Sequence, residues 1–390
     1  MSQSSSPRLL SLDVLRAVAV LLVLGRHLWN PENCHSEWLR PIFHAWYRGG
    51  WVGVDLFFVL SGYLVSGLLF QAYRRNRELN IGRFLIRRGF KIYPGFWLML
   101  GTTLVIAPLV KFPMLTTSKV ISETFFLQSY LEGAWNHTWS LAVEEHFYLL
   151  LPLLLASLVW LRKGSDDPFQ ALIPGFFVAA AAMLGLRIYT ALTQPFDYST
   201  HMFPTHLRLD SLLMGTTLAY LHHFHAERFE SFFRKWGPLL TVLGLAAFVP
   251  AFLWPMETSP YIYTAGFTLF FVGGALIVGS FVVQGVRPST LTRVLAFLGQ
   301  NSFSIYLWHM PVRIWVIPWM LKTLAWKPTY IPAVGLYVGL SLLIGCVLAR
   351  LVEMPMLKVR DYFFPAERAK QLSLSTTIAK TSHVLEPMSS

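Results

Sequence analysis

The sequence predicts an all-α membrane protein, a bundle of about ten transmembrane helices. Of its 390 residues, 54% are hydrophobic and only 13% are charged, with a mean hydropathy of +0.50, whereas soluble proteins carry about 25% charged residues. Apolar runs long enough to cross a bilayer recur along the chain. Basic residues gather in every second connection, as the positive-inside rule expects. We therefore expect a multi-pass protein of the plasma membrane.

The predicted helices follow one another with short connections and no internal repeat. They cover residues 9–29, 51–71, 92–110, 139–160, 171–192, 206–224, 238–254, 262–284, 294–318 and 331–350. The most basic connection, 71–94, is expected in the cytoplasm, and ten crossings then place both termini there. We expect residues 1–360 to form the membrane domain and residues 361–390, whose end is rich in Ser and Thr, to form a disordered cytoplasmic tail.

The charge and the cysteines exclude several classes of protein. The net charge is +12, but the basic residues lie in short loops between apolar runs, which argues against nucleic-acid binding. Cys34 and Cys346 lack metal-type neighbours, so neither a disulfide framework nor a metal site is predicted. No small-x-small cleavage pattern follows the first apolar run, so we expect a retained helix and not a signal peptide.

The first predicted helix carries three polar groups that a simple membrane anchor would lack. These are Asp13, Arg16 and His27, and a charge at bilayer depth costs roughly 2.5–3.5 kcal/mol. Arg16 and His27 are close to three helical turns apart, so they share one face and lie roughly 16 Å apart along the axis. Asp13 is one turn before Arg16 and can pair with it. The spacing predicts a polar stripe that faces a protein interior.

Further polar side chains fall at two depths of the predicted bundle. The outer set comes from five helices and comprises His27, Asp55, Trp139, Ser140, Glu144, Glu145, Arg208, Asp210 and His309. Buried charges need partners or water, so this set predicts a shared polar cavity that opens outwards. The cytoplasmic set comprises Arg16, Arg87, Arg88 and Lys91, which would surround the inner mouth.

Several motifs in order carry a family resemblance. They are Arg16 and His27 with ten residues between them, GVDLFFVLSGYLVS at 53–66, RFLIRRGFKIYP at 83–94, TWSLAVEEHFYLLLP at 138–152, RLDSLLMGTTLAYL at 208–221, LGQNSFSIYLWHMPV at 298–312 and VEMP at 352–355. Over about residues 8–360 the chain resembles acyltransferase family 3, a family of membrane O-acyltransferases. His146 stands where the family often has Gln, and Lys91 where Arg is commoner. No stretch resembles the appended SGNH-type esterase-like domain of larger members, so we expect the membrane domain or another protein to handle the acceptor.

The resemblance implies transfer of an acyl group, usually acetyl, from cytoplasmic acyl-CoA to a hydroxyl. The acceptor would be an envelope sugar, polysaccharide or glycolipid, or a secreted small molecule, and no metal is implied. The expected catalytic residues are His27, Arg16, Glu144 and His309. The expected substrate-binding residues are Asp13, Asp55, Trp139, Ser140, Arg208 and Asp210. Arg87, Arg88 and Lys91 are expected to bind the coenzyme, because Arg forks match phosphate geometry.

Our mechanistic hypothesis makes His27 the general base, because imidazole titrates nearest neutrality. A variant has His27 acylated first and then attacked by the acceptor. Glu144 would orient the imidazole, although Glu145, about 100° away on the helix, remains the alternative. Arg208, Trp139 or a nearby amide would stabilise the oxyanion.

Structural alternatives stay open for several of these residues. His309 precedes Met310-Pro311 and can instead bond a carbonyl that the proline frees. Asp55 and Asp210 are equally explained as structural partners, with Arg208 close to Asp210. Basic residues at a cytoplasmic boundary set topology whatever the function.

Two other classes of function compete with an enzyme. Intramembrane charges also mark the pathways of secondary transporters, although these often contain inverted repeats and none is found here. A non-catalytic scaffold is the third possibility, but it would not need polar stripes at both membrane depths. The acceptor, the acyl chain length and the oligomeric state stay open.

Overall fold

The structure is a computed structural model, which describes residues 7–109 and 115–365. Within these two ranges the chain is helical and contains no β-strand. The α-helices are α1 (Pro7–Arg26), α2 (Arg40–Gly49), α3 (Gly53–Asn76), α4 (Ile81–Leu109), α5 (Thr117–Thr124), α6 (Trp139–Leu161), α7 (Leu172–Thr193), α8 (Tyr198–His201), α9 (Leu209–Phe224), α10 (Ala226–Leu253), α11 (Phe267–Gln284), α12 (Thr290–Gln300), α13 (Ser302–Pro311), α14 (Ile317–Thr323), α15 (Tyr330–Leu348) and α16 (Met354–Phe363). The prediction of an all-α membrane bundle is confirmed.

Seven helical stretches of the described chain are long and apolar enough to cross a membrane, so the predicted count of ten is not confirmed. The other three predicted spans correspond to α1, α9 and the α12–α14 region. Helix α1 carries Asp13, Arg16 and Arg26 within its 20 residues, and α9 has only 16 residues. The ninth predicted span is broken at Asn301, between α12 and α13.

The basic connection predicted at 71–94 is largely helical. Helix α4 begins at Ile81, well before the predicted start at 92, so Arg87, Arg88 and Lys91 lie on a helix. The reason is that α4 has a protein partner at this end: α16 packs against it, and Arg87 forms an ion pair with Asp361. The basic residues that look like a solvated loop in the sequence therefore lie on a helix that packs against another part of the chain.

The seventh predicted span also begins earlier than expected, at Ala226. Phe229 and Phe233, one helical turn apart, are buried and extend α10 in that direction. Between α13 and α14 the helix widens into a π-helical turn, Val312–Val316, directly after Pro311.

The predicted boundary at residue 360 falls inside α16, which continues to Phe363. Residues 1–6 and 366–390 lie outside the described part of the chain. The predicted disordered tail and the cytoplasmic termini therefore fall mostly on residues of which nothing is described.

Helix α1 lies in the centre of the bundle, with Ala17, Val20 and Leu24 fully buried. Beside it, α3 and α9 approach so closely that a Cβ on Gly62 would overlap the backbone carbonyl of Leu212. Small residues at helix contacts allow such approach in membranes. This packing brings the beginnings of α3 and α9 together, and with them two charged side chains of the predicted site.

Candidate active site

Three cavities follow one another through the bundle. The histidine cavity, of about 660 Å³, is lined by polar and aromatic side chains that include His27, His137 and Trp139. The central cavity, of about 110 Å³, lies between it and the basic cavity, of about 490 Å³, which opens beside α4 and α16. The lining of the central cavity includes Arg16, Ser61, Arg88, Lys91, Ser140, Glu144, Tyr148, Gln300 and Tyr306.

Neighbouring cavities share lining residues. Arg88 and Lys91 line both the basic and the central cavity, whereas Val54 and Tyr306 line both the central and the histidine cavity. The hydroxyl of Tyr306 donates to the carbonyl of His137 at 2.5 Å, and its oxygen lies 2.6 Å from the hydroxyl of Ser140. Tyr306 is therefore held by hydrogen bonds where the central cavity meets the histidine cavity.

His27 comes directly after α1 and lines the histidine cavity. Its ring packs against His309 with 4.9 Å between ring centroids, so the structure brings two of the predicted catalytic residues together. His309 is fully buried, its Nδ1 lies 2.5 Å from the carbonyl oxygen of Tyr306, and its Nε2 is buried without a hydrogen-bond partner.

His137 completes this cluster, and sequence reasoning did not select it. Its ring centroid lies 4.9 Å from that of His309, and its Nε2 lies 3.1 Å from the carbonyl oxygen of Leu307. The signal that pointed to it was present: Pro311 has no N–H, so the carbonyl four residues earlier needs a donor from elsewhere. The sequence suggested His309 for that task, but His137 performs it.

Arg16 and Asp13 form the predicted pair, with 3.4 Å between Nη1 and Oδ1. Asp13 also accepts a hydrogen bond of 3.0 Å from Gln300 on α12. Arg16 lines the central cavity while His27 lines the histidine cavity, so the two ends of the predicted stripe face successive cavities.

The carboxylates of α6 do not contact His27. Glu144 lines the central cavity and accepts a hydrogen bond of 3.0 Å from Tyr148. Glu145 accepts one of 3.1 Å from Tyr93. Neither has a hydrogen bond to His27 in the described structure, so orientation of the imidazole by Glu144 or Glu145 stays a prediction, to which the structure adds no contact.

Two buried ion pairs lie behind the cavities. Arg208 pairs with Asp55, and Arg187 pairs with Asp210, each at 2.7 Å and with all four side chains at most 1% exposed. Asp210 thus pairs with Arg187, which sequence reasoning did not single out, and not with its neighbour Arg208. The guanidinium of Arg208 lies 3.7 Å from the ring centroid of Phe267. None of the four charged residues lines the three cavities, so their substrate-binding role stays a prediction and the contacts favour a structural one.

Trp139 and Ser140 divide between the cavities. The ring of Trp139 faces the histidine cavity and stacks on Phe203 with 5.1 Å between centroids. The hydroxyl of Ser140 reaches Tyr306 from the central side. The first turn of α6 therefore supplies one predicted substrate-binding residue to each cavity.

The predicted coenzyme-binding residues differ in what already holds them. Arg87 forms an ion pair with Asp361 at 3.1 Å, and Lys91 forms one with Glu353. The side chain of Arg88 makes no hydrogen bond within residues 7–109 and 115–365; its guanidinium lies 5.0 Å from the ring centroid of Tyr148, and its Nε is buried without a partner. Arg88 is therefore the cation best placed to receive an anionic group from the basic cavity.

A buried carboxyl fixes the segment that carries His137. Glu123 on α5 is fully buried and accepts hydrogen bonds from the backbone N–H of Trp135 at 3.0 Å and from the hydroxyl of Thr138 at 2.9 Å. Burial raises the pKa of Glu123 to about 7 because the charged form is desolvated. The chain is thus tied to one side chain on both sides of His137, at Trp135 and at Thr138.

Comparison with known proteins decides the family. The profile of a protein family described as "Acyltransferase domain" matches residues 9–350. The chain belongs to acyltransferase family 3. This agrees with the motifs, and it favours a multi-pass membrane acyltransferase over a transporter.

Two relatives are similar to this chain along most of its length. One is the O-acetyltransferase OatA of Staphylococcus aureus, 28% identical over 378 residues, which cover 90% of this chain and 58% of the relative. Another is the peptidoglycan O-acetyltransferase OatA of Listeria monocytogenes, 26% identical over 374 residues, which cover 89% of this chain and 56% of the relative. The chain therefore spans little more than half the length of these relatives. No solved structure matches it significantly.

No group of three or more His, Cys, Asp or Glu in the described ranges is arranged to hold a metal ion. Cations line the basic cavity, one carboxylate (Glu144) joins the cations of the central cavity, and two imidazoles (His27 and His137) line the histidine cavity.

Proposed function

We propose that this chain transfers an acetyl group from cytoplasmic acyl-CoA to a sugar hydroxyl of the cell envelope. The name of the Listeria monocytogenes relative points to peptidoglycan as the acceptor. The observation that carries the proposal is the succession of cavities, in which a basic mouth leads through a narrow centre to a histidine cluster.

The donor's chemistry suits the basic cavity. Coenzyme A carries several phosphates, and this cavity is lined by Arg75, Arg83, Arg87, Arg88, Lys91 and Arg360. Arg88 supports the fit best because its buried Nε lacks a partner, and guanidinium groups bind phosphate in fork geometry. The adjoining central cavity, of about 110 Å³, has room for a group of only a few heavy atoms. That size favours acetyl over a long acyl chain.

The acceptor's chemistry suits the histidine cavity. In direct transfer, a ring nitrogen of His27 removes the proton of the sugar hydroxyl while the oxygen attacks the thioester carbon. The carbon–sulfur bond then breaks, and the leaving thiolate receives the proton. In the variant, a ring nitrogen of His27 attacks the thioester carbon, and the carbon–sulfur bond breaks to release the thiolate. The sugar hydroxyl then attacks the acetyl-histidine, the carbon–nitrogen bond breaks, and the hydroxyl proton passes to the thiolate. Trp139 lines the same cavity and Arg208 does not, so the indole N–H is the better placed of the two to stabilise the oxyanion.

Thiol release by purified protein in lipid nanodiscs tests the proposal. With acetyl-CoA and soluble peptidoglycan fragments, the wild type should release coenzyme A thiol and increase the fragment mass by one acetyl group. His27→Ala should lower the rate by at least about 100-fold, the scale of lost acid–base catalysis. The matched control is His44→Ala on α2, whose ring pairs with Glu32 at 2.9 Å away from the three cavities; it should keep the wild-type rate.

Three outcomes have distinct meanings. A wild type that releases no thiol with any hydroxyl acceptor contradicts the function. A His27→Ala variant within threefold of the wild type refutes the role of His27 in both mechanisms. The protein is also incubated with radiolabelled acetyl-CoA and no acceptor. Labelling of the wild type that is lost in His27→Ala supports the acetyl-histidine variant, whereas absence of label from the wild type supports direct transfer.

A further inference from the structure

Helix α13 contains a gap in its hydrogen bonding next to the histidine cluster. A helical carbonyl normally accepts from the N–H four residues later, but for Leu307 that residue is Pro311. A buried carbonyl without a donor costs free energy comparable to a lost hydrogen bond. Leu307 is fully buried, so its carbonyl needs a donor from another element.

His137 supplies that donor. It lies just before α6, and its Nε2 is 3.1 Å from the Leu307 carbonyl oxygen. A carbonyl only accepts, so the proton must sit on Nε2, and Nδ1 keeps its lone pair. Nδ1 is buried and has no partner. The ring is thereby fixed in one tautomer.

The connection between His137 and α13 is reciprocal. The hydroxyl of Tyr306 donates to the backbone carbonyl of His137 at 2.5 Å. In return, the ring of His137 donates to the backbone carbonyl of Leu307, the residue after Tyr306. Tyr306 in turn accepts from Nδ1 of His309 through its carbonyl. His137 is therefore hydrogen-bonded to the turn 306–309 at two points. His309, whose ring packs on His27, is the last residue of that turn.

We propose that His137 is a positioning residue for acyl transfer, which holds the turn 306–309 so that His309 stands against His27. This inference rests on the proposed function, because it assigns His137 a role in that reaction. His137 acts through the hydrogen bond of its Nε2 and not as a proton acceptor.

Gln and Leu at position 137 separate the hydrogen bond from the imidazole. Gln carries an N–H donor at a similar distance from the backbone but cannot act as a base near neutrality. His137→Leu should lower kcat by about 100-fold, the scale of a 1 Å misplacement of reacting groups, with the KM for acetyl-CoA changed less than twofold. His137→Gln should keep at least a third of the wild-type kcat.

A second-site variant tests the cause directly. Pro311→Ala returns an N–H to position 311, so the Leu307 carbonyl regains a donor within its own helix. In that background His137→Leu should cost less than about fivefold in kcat, compared with Pro311→Ala alone. The control is His44→Leu, which should behave alike in both backgrounds.

The proposal is overturned if His137→Gln is as inactive as His137→Leu, because the imidazole itself is then required. It is also overturned if His137→Leu keeps full activity, or if Pro311→Ala rescues nothing. Should the wild type prove inactive, the proposed function fails, and ¹⁵N-histidine spectra of the protein in nanodiscs decide this point. The His309 ring signal, assigned with His309→Gln, should shift in His137→Leu and return in His137→Gln; an unmoved signal refutes the positioning.

Discussion

Replacing Asp55 with Asn should destabilise the bundle far more than it weakens substrate binding. Asp55 and Arg208 are fully buried and pair at 2.7 Å, and the guanidinium lies on the ring of Phe267. Removing one partner of a buried pair costs about 3–5 kcal/mol, because the other charge is left uncompensated. At an unfolding entropy of about 2.1 cal/mol/K per residue, that loss lowers the unfolding midpoint by roughly 4–6 °C for a chain of this length.

The double variant Asp55→Asn/Arg208→Met gives the sharper measurement. Each single change should cost about 3–5 kcal/mol, but the double should cost no more than either single, since it leaves no unpaired charge. Thermal unfolding of the four proteins in one detergent, followed by tryptophan fluorescence, measures this cycle. Glu230→Gln is the control: it breaks an exposed pair with Arg234 at 3.5 Å, which is worth about 0.5 kcal/mol or less.

Two results would refute this reasoning. Additive single effects would show that Asp55 and Arg208 do not stabilise the fold as a pair. A midpoint within one degree of the wild type, together with a tenfold higher KM for the acceptor, would show that Asp55 binds substrate, as the sequence motif implied.

Three further predictions concern other parts of the molecule. Because burial raises the pKa of Glu123 from 4.5 to about 7, the fold favours the protonated form, and stability should fall as pH rises from about 4.5 to 7. The unfolding midpoint of the wild type should therefore fall between pH 5 and 8, whereas that of Glu123→Gln should not show this fall. Asp361→Asn removes the 3.1 Å partner of Arg87 beside the basic cavity and should lower the KM for acetyl-CoA several-fold at unchanged kcat. Gly62→Leu should abolish recovery of monodisperse protein in size-exclusion chromatography, because a backbone carbonyl of α9 occupies the space, whereas Gly101→Leu, which has open space, should be tolerated.

The sequence predicted those features that depend on one helix alone. The eleven-residue spacing of Arg16 and His27 placed them on one face, and they line successive cavities. The Asp13–Arg16 pair followed from the same periodicity. The predicted start of α4 was wrong because local composition cannot show that Asp361, far along the chain, forms an ion pair with Arg87.

Contacts between helices were harder to predict, since they depend on how each helix is rotated against its neighbours. Nothing in the spacing of Glu145 showed that its carboxylate would accept a hydrogen bond from Tyr93 on α4. Arg187 was invisible for the same reason, although it is buried against Asp210. The proline of α13 was the exception: it marked a carbonyl in need of a donor, but the sequence did not show which histidine would reach it.

The junction of the cavities has a consequence for the chemistry. A thioester in contact with an open aqueous path would be lost to hydrolysis, so an acetyltransferase that works across a membrane must exclude water between its two substrates. Here the narrow passage ends at Tyr306, whose hydroxyl is held by His137 and Ser140. The phenol that lines both cavities is therefore bonded to the residue that we propose positions His309. In the proposed reaction, a displacement of the Tyr306 hydroxyl from this junction would break its bond to the carbonyl of His137, and so would disturb the contact between His137 and the turn 306–309.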